Sequence, residues 1–206
     1  MPVICLVGVL LNFLTGIALT DRVFYFPLYL DTIFTVSVTL IGGPVWGMLC
    51  GALSNIVSHT YIFWGFEGYL FAICNMTTAL ITHAFVRFFS KELALPYLPD
   101  ASRRSRHLEG IMNRIVVLVL LSFTLCLAMS ILGGIITVII VQIGGYARDT
   151  ERLHSFLGPI LFSEDSPMLL AEILSRIPVN IVDRHITAFL GYGAALLCVK
   201  GLRRRG

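Results

Sequence analysis

Between residues 111 and 145 the chain carries one charged side chain, Arg114. A helix of that length extends about 52 Å at 1.5 Å per residue, while the hydrocarbon core of a bilayer is about 30 Å thick. Cutting the segment at Gly133 and Gly134 leaves a second piece too short to return across a bilayer, so it predicts one long tilted helix whose far end protrudes or bends. Other apolar blocks precede and follow it. They are continuous rather than alternating, which selects membrane helices over barrel strands. With 57% hydrophobic and 13% charged residues in 206, against about 25% charged in an average soluble domain, the chain lacks the charge to cover a water-soluble globule. A soluble enzyme is thereby excluded.

The blocks predict an all-α integral membrane protein, a single transmembrane domain of six spans at about 3–19, 30–42, 45–59, 68–88, 113–140 and 178–199. The first block lacks the basic flank of a signal peptide and is followed at once by further apolar blocks, so it is expected to be a span. Residues 168–176 form a separate amphipathic piece before the last span. The net charge is only +3 and is concentrated at two places, which argues against nucleic-acid binding. Loop 89–112 holds Lys91, Arg103, Arg104 and Arg106, and the C-terminus holds Lys200, Arg203, Arg204 and Arg205. Acidic and basic residues nearly cancel in the opposite loops, including outer loop 146–166. Lysine and arginine mark the cytoplasmic side, so both termini and loop 89–112 are expected there, in a multi-pass protein of the plasma membrane.

The five cysteines lie inside apolar blocks, with no CxxC pair or Cys/His cluster, and are expected to be small apolar filler rather than disulfides or metal ligands. No phosphate-binding GxxxxGK[ST] loop, HExxH or GxSxG pattern occurs. His59, His83 and His185 are scattered, which gives an intramembrane enzyme no evident nucleophile and base. No catalytic residue, metal or cofactor is expected. The sequon at Asn75 falls in the middle of a span, beyond the reach of glycosylation.

Three patterns carry functional expectations. Gly43, Gly47 and Gly51 are spaced four apart, with Asn55 and His59 continuing the line, and Gly8, Asn12 and Gly16 make a similar line in the first span. Residues at that spacing share a helix face and let another backbone approach closely. That approach can come from within the bundle or from another membrane subunit. Polar residues inside spans are costly in hydrocarbon and point to function. On the last helix Arg176, Asn180, Asp183 and Thr187 share one face, with Arg184 and His185 beside them, and Asn75, Thr78 and Thr82 form a shorter face on the fourth span. They can close around a polar ligand, or pair internally, Asp183 with Arg176 or Arg184. Aromatic residues gather at the outer ends, among them Tyr61, Trp64 and Tyr69. They suit an interfacial belt or a stacking wall, with Glu67 as an anchor for a cation or ring N–H. Asp31, just ahead of an apolar run, is expected to cap a helix.

Pro27-Leu28-Tyr29-Leu30-Asp31-Thr32, Gly43-Pro44-Val45-Trp46-Gly47 followed by Gly51-Ala52-Leu53-Ser54-Asn55, and Pro178-Val179-Asn180-Ile181-Val182-Asp183 resemble the substrate-binding membrane subunits, or S components, of energy-coupling factor transporters. The similarity covers most of the chain. It implies a vitamin-sized, water-soluble solute bound from outside by the outer halves of spans four to six and the outer loops. Asn180, Asp183, Arg184, Asn75, Thr78, Trp64, Glu67 and Tyr61 are the candidate binding residues. It also implies docking of the early spans, through Gly8, Asn12, Gly16, Gly43, Gly47 and Gly51, onto a membrane coupling subunit driven by a pair of cytosolic ATPases. Many members carry an Ala-x-x-x-Ala pair on the first helix where this chain has Gly8, Asn12 and Gly16. The alternative class is a multi-span sensor acting with a separate signalling partner. The chain ends seven residues after its last span, with no kinase attached, which favours the transport reading.

Overall fold

The computed structural model describes residues 1–16, 28–62, 67–95, 107–144 and 167–203, and among these there is no strand. Helices α1 (Pro2–Leu14), α2 (Ile33–Gly42), α3 (Pro44–Ile62), α4 (Ala72–Phe88), α5 (Ser90–Leu93), α6 (His107–Gly144) and α7 (Met168–Arg203) follow in order, with a 3-10 turn, Glu67–Phe71, leading into α4. Among the described residues three segments are long and apolar enough to cross a membrane: Gly68–Phe88, Gly110–Ile143 and Met168–Arg203. Pro2–Leu14 and Ile33–Gly42 are apolar but shorter.

Burial is distributed as hydrocarbon solvent demands. Asn12, Thr35, Ser122, Thr137 and Thr187 are wholly buried, while Val3, Leu6, Leu10, Phe123, Leu127 and Leu190 are exposed. A contiguous aliphatic surface of this kind is a liability in water and neutral in lipid. Several buried hydroxyls bond back to the carbonyl four residues earlier: Thr39 to Thr35 at 2.7 Å, Ser54 to Cys50 at 2.7 Å, Thr82 to Thr78 at 2.7 Å and Ser122 to Leu118 at 2.7 Å. Such local bonds satisfy a polar group where no water is present.

The element boundaries have local causes. Pro2 stands in the first turn of α1, where its missing N–H is no loss. Gly43, at φ +84°, lets the chain turn between α2 and α3, its N–H donating to the Thr39 carbonyl at 2.9 Å, and Pro44 opens the next helix. α6 runs unbroken through Gly133 and Gly134. A Cβ on Gly134 would lie 2.7 Å from Ile173 Cγ1 and 3.2 Å from its backbone nitrogen, so the glycine admits α7 rather than ending a helix. α7 begins at Met168, ahead of the point where the last span is expected, and carries Pro178 in its interior. The amphipathic piece expected at 168–176 is the first part of this helix. One lost backbone bond at Pro178 is outweighed by packing along α6, which is the most extensive contact in the bundle.

The small-residue stripes face inward. A Cβ on Gly8 would stand 2.9 Å from Val38 Cγ2, and one on Gly51 would stand 2.8 Å from the Asn75 carbonyl oxygen. A Cβ on Gly47 would collide with Thr39 on α2 and sit 3.0 Å from Ala79 Cβ on α4. Asn12 donates to Thr35 Oγ1 and Ser54 Oγ, both at 3.0 Å, and accepts the Phe34 N–H at 2.8 Å. Gly16 lies beside Asp31 and Tyr29. The close approach that these residues permit is thus made by the chain's own α2 and α4. Of the two readings of these stripes, close approach within the bundle and docking of another subunit, the described contacts of Gly8, Asn12, Gly47 and Gly51 are of the first kind. Gly43 serves the turn.

Candidate functional site

The start of α2, the end of α3, the start of α4, the middle of α6 and the first half of α7 meet at one end of the bundle. There they surround a recess of about 490 Å³, counting its open mouth. Asp31 and Tyr29 line it from the segment before α2, Asn55 and His59 from α3, Phe71, Cys74 and Asn75 from the entry to α4, Met129 and Gly133 from α6, and Arg176, Asn180 and Arg184 from α7. At the other end Leu93, Leu95, Leu121, Leu125 and Tyr192 close into an apolar cluster.

Helix α7 supplies the most ordered wall. Asn180, 2% exposed, donates to Ser130 Oγ at 2.9 Å and ties α7 to α6. Arg184 donates to Thr32 Oγ1 at 2.6 Å and pairs with Asp183 at 2.7 Å. The Asp183 carboxylate also accepts the Leu30 N–H at 2.8 Å. Leu30 has φ +42°, a conformation that a non-glycine residue adopts at a cost. The carboxylate therefore stabilises the strained entry to α2 that carries Tyr29 and Asp31 to the recess. One turn earlier, Arg176 lies 3.6 Å from Glu172, donates to Thr137 Oγ1 at 2.6 Å and to the Tyr29 hydroxyl at 3.3 Å, and stands 5.8 Å from the Phe71 ring centroid.

Asp31 does not cap α2. The residue at that position is Thr32, whose side chain makes no capping bond; the first-turn Phe34 N–H is taken by Asn12 Oδ1 of α1. The Asp31 carboxylate turns instead to α4, where Asn75 Nδ2 donates to its Oδ2 at 3.0 Å. Its other oxygen, Oδ1, is buried without a hydrogen-bond partner among the described residues, as is Oδ1 of Asn55, a residue only 4% exposed.

Of the residues expected to bind solute, Asn75, Asn180 and Arg184 line the recess together. Asp183 stands behind Arg184 as its ion-pair partner. Thr78 is wholly buried and donates within its own helix to the Cys74 carbonyl at 3.2 Å, with Met129 Sδ at 3.6 Å. Tyr61 is 70% exposed and packs edge-on against Phe13, with ring centroids 5.3 Å apart. Trp64 and the side chain of Glu67 lie outside the described residues. Sequence reasoning missed Asp31, Asn55, His59 and Phe71 as lining residues. A signal for two of them was present: Asn55 and His59 extend the Gly43, Gly47 and Gly51 face by one and two turns. The glycines bring α3 against α2 and α4, and the same face, further along, opens on the recess.

This arrangement can hold a polar solute in an apolar bundle, with hydrogen-bonding groups on three helices and on the segment before α2, and Phe71, Cys74 and Met129 as its less polar surface. Among the described residues no group of three His, Cys, Asp or Glu side chains is placed to hold a metal ion. No protein-family model, curated protein or solved structure matches the chain.

Proposed function

We propose that the protein is the solute-binding S component of an energy-coupling factor importer. It captures a vitamin or similar small water-soluble compound from outside and delivers it with a separate membrane coupling subunit and a pair of cytosolic ATPases. In this reading the chain crosses the plasma membrane six times with both termini cytoplasmic, and the recess opens outward. The observation that carries the proposal is the recess itself: Asp31, Asn75, Arg176, Asn180 and Arg184 converge on it in a bundle whose outer surface is aliphatic. Polar and charged groups placed at that depth are expensive unless a function retains them. The resemblance of the Gly-Pro-x-Trp-Gly stretch to the S-component family supports the same reading.

The glycine stripes are engaged within the bundle, so a coupling subunit would meet other residues. The aliphatic faces of α1 (Val3, Leu6, Val7, Leu10) and α3 (Val45, Leu49, Leu53, Ile56) are the exposed surfaces of those early helices. The test is co-expression of the tagged chain with the coupling subunit and ATPase pair of its own cell, followed by purification in mild detergent. Recovery of all four chains as one complex supports the proposal. Recovery of the chain with a signalling kinase instead would sink it in favour of a membrane sensor.

A further inference from the structure

Asp31, Arg176 and Arg184 line the recess. Glu172 lies 3.6 Å from Arg176 and Asp183 lies 2.7 Å from Arg184, so both guanidiniums stand beside carboxylates of their own helix. Asp31 is the one carboxylate among the described residues that line the recess. Its Oδ2 is satisfied by the Asn75 amide, but its Oδ1 is buried with no partner among the described residues, and Oδ1 of Asn55, which also lines the recess, is in the same condition. A buried carboxylate oxygen and a buried amide carbonyl without donors each carry a desolvation penalty that a fitting ligand removes. Among the described residues each of these guanidiniums already stands beside a carboxylate, whereas Asp31 has none of its charge matched by a cation. A solute bringing positive charge and N–H donors would satisfy both orphaned acceptors at once.

Resting on the solute-binding reading above, we propose that the recess selects a solute with a cationic N–H group, a protonated amine or amidine, seated between the Asp31 carboxylate and the Asn55 carbonyl. Asn75 acts as a positioning residue, fixing the rotamer of Asp31 by holding Oδ2 so that Oδ1 faces the solute. Phe71, which also lines the recess, gives the cation or its attached ring an aromatic surface. Arg184 Nε, a buried donor without a hydrogen-bond partner among the described residues, is available to an acceptor elsewhere on the same solute.

The experiment uses the full chain in mild detergent and four probes: benzamidine, benzylamine, benzamide and benzoate. Binding is read by equilibrium titration and by the shift in melting temperature. Benzamidine or benzylamine is expected to bind and stabilise, and benzamide and benzoate are not. Asp31→Asn, which keeps the shape and removes the charge, is expected to weaken the cationic probe at least about tenfold, the usual cost of losing a charge-assisted bond. Asn55→Asp adds a second carboxylate and is expected to bind the cation more tightly, which keeps the test open if Asp31→Asn does not fold. Stabilisation by benzoate, or failure of both cations, or a wild-type response from both variants, overturns the proposal. An acidic solute released from the purified chain also overturns it while leaving the importer function standing. Selection of benzamidine through Asp31 by a chain that joins no transport complex removes the importer function and leaves the chemistry of the recess in place.

Discussion

Asp183 and Asp31 lie close in the fold but do different work, and a substitution at each reads out differently. Asp183 is wholly buried, holds the Leu30 N–H and pairs with Arg184. Removing it leaves a buried guanidinium without its counter-charge, a change that costs about 3–5 kcal/mol in comparable sites. Asp183→Ala is therefore expected to lower the melting temperature in detergent sharply, and Asp183→Asn to lower it less, since the amide oxygen can still accept from Leu30. Alanine at this position with an unchanged melting temperature would contradict the role assigned to the pair. The polar face of Asn180, Asp183 and Arg184 was legible from spacing alone, because helical periodicity places those residues together. Asp31 was not. A carboxylate just ahead of an apolar run has the local signature of a helix cap, and its true partner, Asn75, lies 44 residues away, where no local rule reaches.

At the scale of elements, the spacing of the glycines announced close helix contacts but not who makes them. Small residues at i and i+4 have the same signature whether the neighbour is another helix of the chain or another protein. The contacts decide: Gly51 sits against the Asn75 backbone, whereas Gly193 on α7 has no neighbour within 4 Å of where a Cβ would stand. Gly51→Ala should force α3 from α4 and destabilise by about 1–3 kcal/mol. Gly193→Ala should be neutral or gain up to about 1 kcal/mol from helix propensity. Thermal unfolding of the two variants in one detergent checks both, and equal stabilities would mean that α3 and α4 do not approach as described. Pro178 misled in the opposite way. It reads as a helix start, yet tertiary packing along α6 carries α7 through it, and so Glu172, Arg176 and Asp183 share one helix.

For the whole molecule, the helical class followed from the length and continuity of the apolar blocks, since a segment such as 111–145 leaves a chain little choice of environment. The proposed six crossings rest on the apolar blocks and their orientation on charge bias, and the orientation makes a direct prediction. With Ser102→Cys in the basic stretch of sequence between α5 and α6, a membrane-impermeant maleimide should label intact cells only after permeabilisation. Labelling without permeabilisation would invert the topology and turn the recess toward the cytoplasm. The recess was harder to foresee because it is assembled from segments far apart in sequence, of which only the α3, α4 and α7 faces carried a periodic signal. The proposal that these segments exist to capture a solute is tested most directly by denaturing the purified chain and identifying what it releases by mass spectrometry. The predicted result is one small water-soluble compound in near-stoichiometric amount from the wild-type protein and its loss from Asp31→Asn. Wild-type protein, folded and taken from cells grown in rich medium, that releases no such compound and rebinds none from an extract of those cells would contradict the account.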